Sequence, residues 1–156
     1  MEYNKIFLLR AIEIALKNIT EGGGPFGAVI VKDHIIIAEA GNKVVVNSDP
    51  TAHAEILAIR EAAALFKSHD LSDCVLYTSC EPCPMCLGAI YWSGIKKVIY
   101  ACDRQDADSA GFSDKLIYDE IMLDPSERTI PFIRLSEPGG KEVFRKWDEF
   151  ENKISY

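Results

Sequence analysis

A chain of 156 residues that is 48% hydrophobic and 26% charged is the size of one ordinary domain, and its composition excludes a disordered or collagen-like polymer. Lys and Arg number 17 against 24 Asp and Glu, a formal net charge of -7, so a phosphate backbone is repelled overall and polymeric nucleic acid is not expected as a partner. No apolar run approaches the roughly 20 residues of a membrane span, and Met1 to Lys5 lacks a basic region leading into an apolar cleavage segment, so no membrane association and a cytoplasmic location are expected.

In chain order, Leu8, Ile12, Ala15 and Leu16 share one side of a helical period, which predicts an opening amphipathic helix over residues 6 to 17. Glu21-Gly-Gly-Gly-Pro25 ends it. Phe26 to Val31 and Ile35 to Ala40 read as two strands of a hairpin turned through Lys32-Asp33-His34. Asp49-Pro50-Thr51 signals a helix start, and Ala54 to Phe66 supplies good helix formers with Ile56, Ile59 and Ala63 among them. Cys74 to Thr78 and Lys97 to Ala101 read as further strands, separated by an apolar helix that Pro84 opens and Gly94 closes. Ser113 is positioned to cap a short helix through Met122, Phe132 to Leu135 reads as a last strand, and Val143, Trp147, Phe150 and Ile154 stripe a closing helix. Alternating strands and helices imply crossover connections, hence a layered α/β domain spanning 1–156 with a mixed sheet of five strands.

The chemistry concentrates in two blocks. Thr51-Ala-His53-Ala-Glu55 opens one predicted helix and Pro82-Cys83-Pro84-Met85-Cys86 opens another, together H-x-E followed by P-C-x-x-C, the signature of zinc deaminases. Cys83 and Cys86, three apart in a first helical turn, lie on one face and can reach one ion, with His53 as third ligand. His53 and Glu55 are two apart, so both meet a metal only if their helix points its amino end at it. Such an end favours thiolates and a carboxylate. Two thiolates, a neutral imidazole and Zn²⁺ sum to zero charge, so the metal acidifies water less than an all-histidine site does and a nearby base is needed. Glu55 fits that role. The competing reading is a structural zinc knuckle with four protein ligands, for which Cys80 is the candidate fourth. Cys80 reads instead as a small buried thiol, Cys74 and Cys102 as packing residues, and His34 and His69 as solvated. Five cysteines, an odd number, suit a reducing compartment better than a disulfide framework.

Over nearly its whole length the chain also resembles the bacterial guanine deaminases, a branch of the cytidine-deaminase superfamily that also holds tRNA adenosine and cytosine deaminases. The resemblance is carried by Gly23-Gly-Pro-Phe-Gly-Ala-Val-Ile30, Asp49-Pro-Thr-Ala-His-Ala-Glu55, Tyr77-Thr-Ser-Cys-Glu-Pro-Cys-Pro-Met-Cys86 and Ala110-Gly-Phe-Ser-Asp114. It implies a three-layer α/β/α sandwich, one Zn²⁺ per subunit, and a homodimer that exchanges its carboxyl-terminal segment, from about residue 140 to 156, so that Tyr156 caps the neighbour's pocket. It also implies that Asn42 hydrogen-bonds the base and that Asp114 reads the purine's polar edge and assists proton transfer. Each has a local competitor: Asn42 follows Gly41 as a good turn residue, Asp114 is a good first-turn acid, and Tyr156 is a chain end. Phe26 and Trp92 offer aromatic faces to a flat base, with core packing as the other reading of each.

The implied reaction is guanine plus water giving xanthine plus ammonia. A tRNA adenosine deaminase needs a basic face, whereas Glu142, Asp148, Glu149 and Glu151 are mixed with Arg145, Lys146 and Lys153 here, favouring a small purine base. Guanosine, cytosine or another amino-heterocycle remains an alternative substrate, and a zinc module that binds a partner protein the non-catalytic one.

Overall fold

The computed structural model describes residues 4–154, so the expectation for Tyr156 falls outside the described residues. It divides into two compact units, 1–114 and 115–156. The first holds α1 (Lys5–Thr20), β1 (Gly27–Lys32), β2 (Ile35–Gly41), α2 (Val44–Asn47), α3 (Ala54–Phe66), β3 (Val75–Cys80), α4 (Pro84–Trp92), β4 (Val98–Cys102) and α5 (Arg104–Ser109). The second holds α6 (Lys115–Ile121), a 3-10 turn at Pro125–Glu127 and α7 (Pro138–Glu149). Among the described residues no helix is long and apolar enough to cross a membrane.

The sheet runs β2-β1-β3-β4. β1 pairs antiparallel with both β2 and β3, and β3 pairs parallel with β4, so the sheet is mixed. The hairpin turns through Asp33 and His34, both at positive φ (49° and 64°), the handedness that a tight turn between twisted strands demands. β1 is central, and alternation sends Ala28 and Ile30 to one face and Val29 and Val31 to the other, both buried. On the first face they meet Ala54, Ala58 and Ala62 of α3 and Ile90 of α4; on the second they meet Phe7 and Ala11 of α1, with Tyr77. Helices therefore cover both faces.

The sheet has four strands, not the expected five. Phe132 to Leu135 is irregular, with Ile133 81% and Leu135 79% exposed. A β-prone run becomes a strand only when an edge accepts its backbone groups. The closing helix is also shorter than its apolar stripe: Phe150 turns to extended backbone (ψ 107°), leaving Phe150 and Ile154 beyond α7.

The face α1 buries is Phe7, Ala11, Ala15 and Asn18; of the expected stripe, Ala15 is buried and Leu8 packs against the core, whereas Leu16 is 63% exposed. Small Ala11 and Ala15 let the helix lie directly on β1. A Cβ on Gly27 would fall onto Ala11 O and 2.7 Å from Ala15 N, backbone atoms that cannot swing aside. Gly27→Ala is therefore expected to cost about 1–3 kcal/mol by overpacking, read as a lowered urea midpoint at unchanged slope. A midpoint like that of the unsubstituted chain would mean that the helix can lift off the sheet freely.

Candidate metal centre and active site

Two helix starts build the site. His53 is the N-cap of α3 and Cys83 the N-cap of α4, both in extended backbone (ψ 152° and 169°), and Pro84 occupies the first turn of α4, where its missing N–H costs nothing. Neither side chain makes the usual N-cap hydrogen bond. Each turns instead to the other: His53 Nδ1 stands 3.5 Å from Cys83 Sγ and 3.6 Å from Cys86 Sγ, and the three ligand atoms lie within 4.8 Å of one another. A tetrahedral zinc, with bonds of about 2.3 Å to sulfur and about 2.0–2.1 Å to nitrogen, sets such atoms about 3.6 Å apart. The donor set and its spacing fit a zinc ion. Both helix amino ends face this point, and their partial positive charge favours anionic ligands.

The protons fit as well. Hydrogen bonds from Cys86 and His53 hold Cys83 down to about 4 against its burial, so it is a thiolate at neutral pH. Its bond to Cys83, then burial, pushes Cys86 up, and the bond to Cys83 raises His53. A divalent cation bound here would displace the protons that Cys86 and His53 hold.

Glu55, in the first turn of α3, is only 5% exposed. Its Oε1 accepts from Thr78 Oγ1 at 3.0 Å and its Oε2 from Cys86 Sγ at 3.5 Å. Burial raises it above the usual carboxylate range, with the bonds from Thr78 and Cys86 pulling the other way. A carboxyl beside the ligand cluster and poised to gain and lose a proton is what general acid–base work requires.

Asn42 is buried just after β2, its Oδ1 accepting from Val44 N at 3.2 Å. Lys43 N donates to Ala52 O at 2.9 Å, which fastens this segment beside His53. Asp114 is half-buried and raised, first by burial and then by the Cys83 thiolate, so it stands within electrostatic reach of the cluster. Phe26 packs its ring edge-on to Phe112 at 5.0 Å and lines an apolar cavity of about 270 Å³ with Ile12, Leu16, Cys80 and Cys102. Trp92 is not brought to the cluster. It ends α4, 67% exposed, and nine residues of helix at about 1.5 Å each put it about 13 Å along the axis from Cys83.

Cys80 is outside the ligand triad. It is buried at the end of β3, its Sγ bonds Asp103 O at 3.5 Å, and burial pushes its thiol up to about 11. Cys74 is buried as expected, but Cys102, expected to pack, is exposed; it ends the edge strand β4. His34 and His69 are exposed. Sequence reasoning passed over Thr78 and Asn18. Asn18 had a signal, because with Phe7, Ala11 and Ala15 it lies on one helical stripe, a polar side chain on the face that turns inward.

The cytidine and deoxycytidylate deaminase zinc-binding region matches residues 1–102. Guanine deaminase of Bacillus subtilis is 52% identical over 98% of this chain and 99% of its own. The crystal structure of guanine deaminase from that organism superposes with a TM-score of 0.96 at 51% identity, covering 99% of both chains. A tRNA-specific adenosine deaminase of Haemophilus influenzae is 40% identical, over 70% of this chain and 64% of its own. A guanine deaminase structure from Nitrosomonas europaea matches with a TM-score of 0.69 at 35% identity, over 74% of this chain and 67% of that one. With the matched region enclosing the histidine and both cysteines of the cluster, the chain belongs to the cytidine and deoxycytidylate deaminase zinc-binding family.

Proposed function

We propose that this protein is a guanine deaminase, hydrolysing guanine to xanthine and ammonia. The observation that carries the reading is the full-length likeness to the Bacillus subtilis guanine deaminase, in sequence and in structure. The chemistry follows from the residues present. Zinc held by His53, Cys83 and Cys86 supplies the Lewis acidity that lets water act as a nucleophile near neutral pH. Glu55 takes a proton from the attacking water as the new C–O bond forms at the ring carbon bearing the amino group. It returns one proton to the adjacent ring nitrogen, and a second leaves with the amino nitrogen as ammonia when the C–N bond breaks.

Asn42 and Asp114 supply the polar contacts. With Asn42 Oδ1 engaged by Val44 N, the amide's donating end is what Asn42 offers a base. The carboxyl of Asp114 offers an acceptor for the purine's N–H edge. Buried polar partners of this kind reject analogues that leave them unpaired. Phe26 is offered as an aromatic wall; the exposure of Trp92 gives it no such support.

The working enzyme is a cytoplasmic homodimer in which the segment from about 140 to 156 is exchanged and Tyr156 covers the partner's site. Support comes from the second unit itself: none of its described residues is buried, and Ile133, Leu135 and Phe144 are 81%, 79% and 72% exposed. Apolar side chains so placed gain about 25 cal/mol per Å² from any surface that covers them.

An ammonia-release assay of the zinc-loaded protein tests the reading with guanine, guanosine, adenine, cytosine, cytidine and a tRNA. Guanine is expected to exceed every other substrate in kcat/KM, and loss of Ile154 to Tyr156 to lower that value without changing zinc content. Release from tRNA alone would transfer the assignment to the adenosine deaminases of the family. Silence with all six would make the protein a zinc module that binds a partner.

A further inference from the structure

We propose that Asn18, on the buried face of α1, is a positioning residue for substrate binding: its amide sets where Asn42 presents its donors to the base. The inference rests on the reading of Asn42 as a base contact.

Asn18 is 2% exposed. Its Nδ2 donates at 2.7 Å to Asn42 O and at 2.7 Å to Gly24 O. Its backbone carbonyl accepts from Gly23 N at 2.9 Å and Glu21 N at 3.1 Å. One residue at the end of α1 thus holds both segments that meet at Asn42: the backbone of Asn42 itself and the glycine loop before β1. That loop is the wall behind the Asn42 amide, since a Cβ on Gly24 would sit 3.1 Å from Asn42 Oδ1 and 3.2 Å from its Cγ. Asn42 N donates to Phe26 O at 3.0 Å and Val44 N bonds its Oδ1, so backbone, oxygen and backing wall of this side chain are all fixed.

The Asn18 amide is itself gripped. A Cβ on Gly41 would come within 2.6 Å of both its Cγ and its Oδ1, so only a bare backbone leaves room for it there. Without the Asn18 amide, the buried carbonyl of Asn42 and the part-buried carbonyl of Gly24 lose their donor, and the chain shifts to satisfy them elsewhere. A misplaced donor of about 1 Å is enough to weaken a base contact strongly. Asn18 touches neither the ligand cluster nor Glu55 through any of these bonds, so the predicted signature is in KM rather than in kcat or zinc content.

The experiment measures KM and kcat for guanine, zinc content and Tm in Asn18→Ala, Asn42→Ala and the double variant. Asn18→Ala is expected to raise KM about tenfold, the equivalent of about 1.4 kcal/mol, with kcat changed less than about twofold and zinc retained. Because Asn18 acts through Asn42, adding Asn18→Ala to Asn42→Ala is expected to raise KM little further, the non-additivity of two residues acting as one. A structural role alone would lower Tm and leave KM unchanged, and that result overturns the proposal, as does a full additional KM increase in the double variant. If Asn42→Ala itself leaves KM unchanged, the base-contact reading fails first and takes this one with it. Gly41→Ala keeps the test open should Asn18→Ala not fold: it displaces the same amide sterically and is expected to raise KM in the same way, an unchanged KM counting against the proposal.

Discussion

Glu55→Gln loses about 10²–10⁴-fold in kcat, the usual worth of a general acid–base, and keeps its zinc. The amide matches the carboxyl in volume, so the packing of α3 against β3 is preserved, but it cannot accept the proton that the attacking water gives up. Zinc stays because the ligand set is His53, Cys83 and Cys86, from which Glu55 is absent. Tm is expected to stay level or rise at neutral pH. Burial raises the Glu55 pKa above its ordinary 4.5. Such a group favours folding below that value, and the contribution is lost as pH rises through the raised one. Above the raised value the ionised carboxylate, set beside the sulfur of Cys86, is a burden that a neutral amide removes, and the amide can also donate to that sulfur. Activity lost with stability kept is the trade-off expected of a functional group placed where the fold alone would not choose it. Turnover within about tenfold of the unsubstituted enzyme would take Glu55 out of the mechanism.

What could be read from the sequence divides along physical lines. α3 begins and ends where Asp49-Pro-Thr and the helix formers after it predict, and the ligand triad was legible because its spacing is local: two cysteines three apart and a histidine at a helix start. Asp103 and Asp106 carried an equally local signal, a capping box that opens α5, and it went unread. Other misses depend on partners distant in sequence. Phe132 to Leu135 has the composition of a strand without an edge to join, and Leu16 is apolar yet exposed because Ala11 and Ala15 bring α1 so close to Gly27 that the helix presents its small side. Thr78 looks like any strand threonine until β3 places it 3.0 Å from Glu55. The place of Trp92 along α4, by contrast, follows from helical rise alone.

Zinc removal is expected to abolish turnover while leaving most of the fold. The cluster joins the amino ends of α3 and α4, whereas the two apolar clusters on either face of the sheet contain no ligand but the structure around them. Treatment with a strong chelator should thus yield a folded chain of lower Tm. If zinc was held at about 1,000 times its Kd, the stabilisation lost is about 4 kcal/mol, and at about 2–4 °C per kcal/mol for a chain of this size Tm falls by about 10 °C. Adding zinc back restores both properties. Cys86→Ser behaves like the chelated enzyme and is not rescued by zinc, because Cys86 is fully buried against His53 and Cys83 and a hydroxyl there replaces a thiolate with a weak neutral donor. Cys80→Ser supplies the contrast. The Cys80 thiol, held near 11 by burial, bonds the carbonyl of Asp103 and stays out of the triad, so this variant is expected to keep zinc and turnover. Should it lose the metal instead, Cys80 is a fourth ligand, the shell is closed by protein, and no position is left at which water could be activated; the site would then be a structural zinc and the deaminase reading would fall with it.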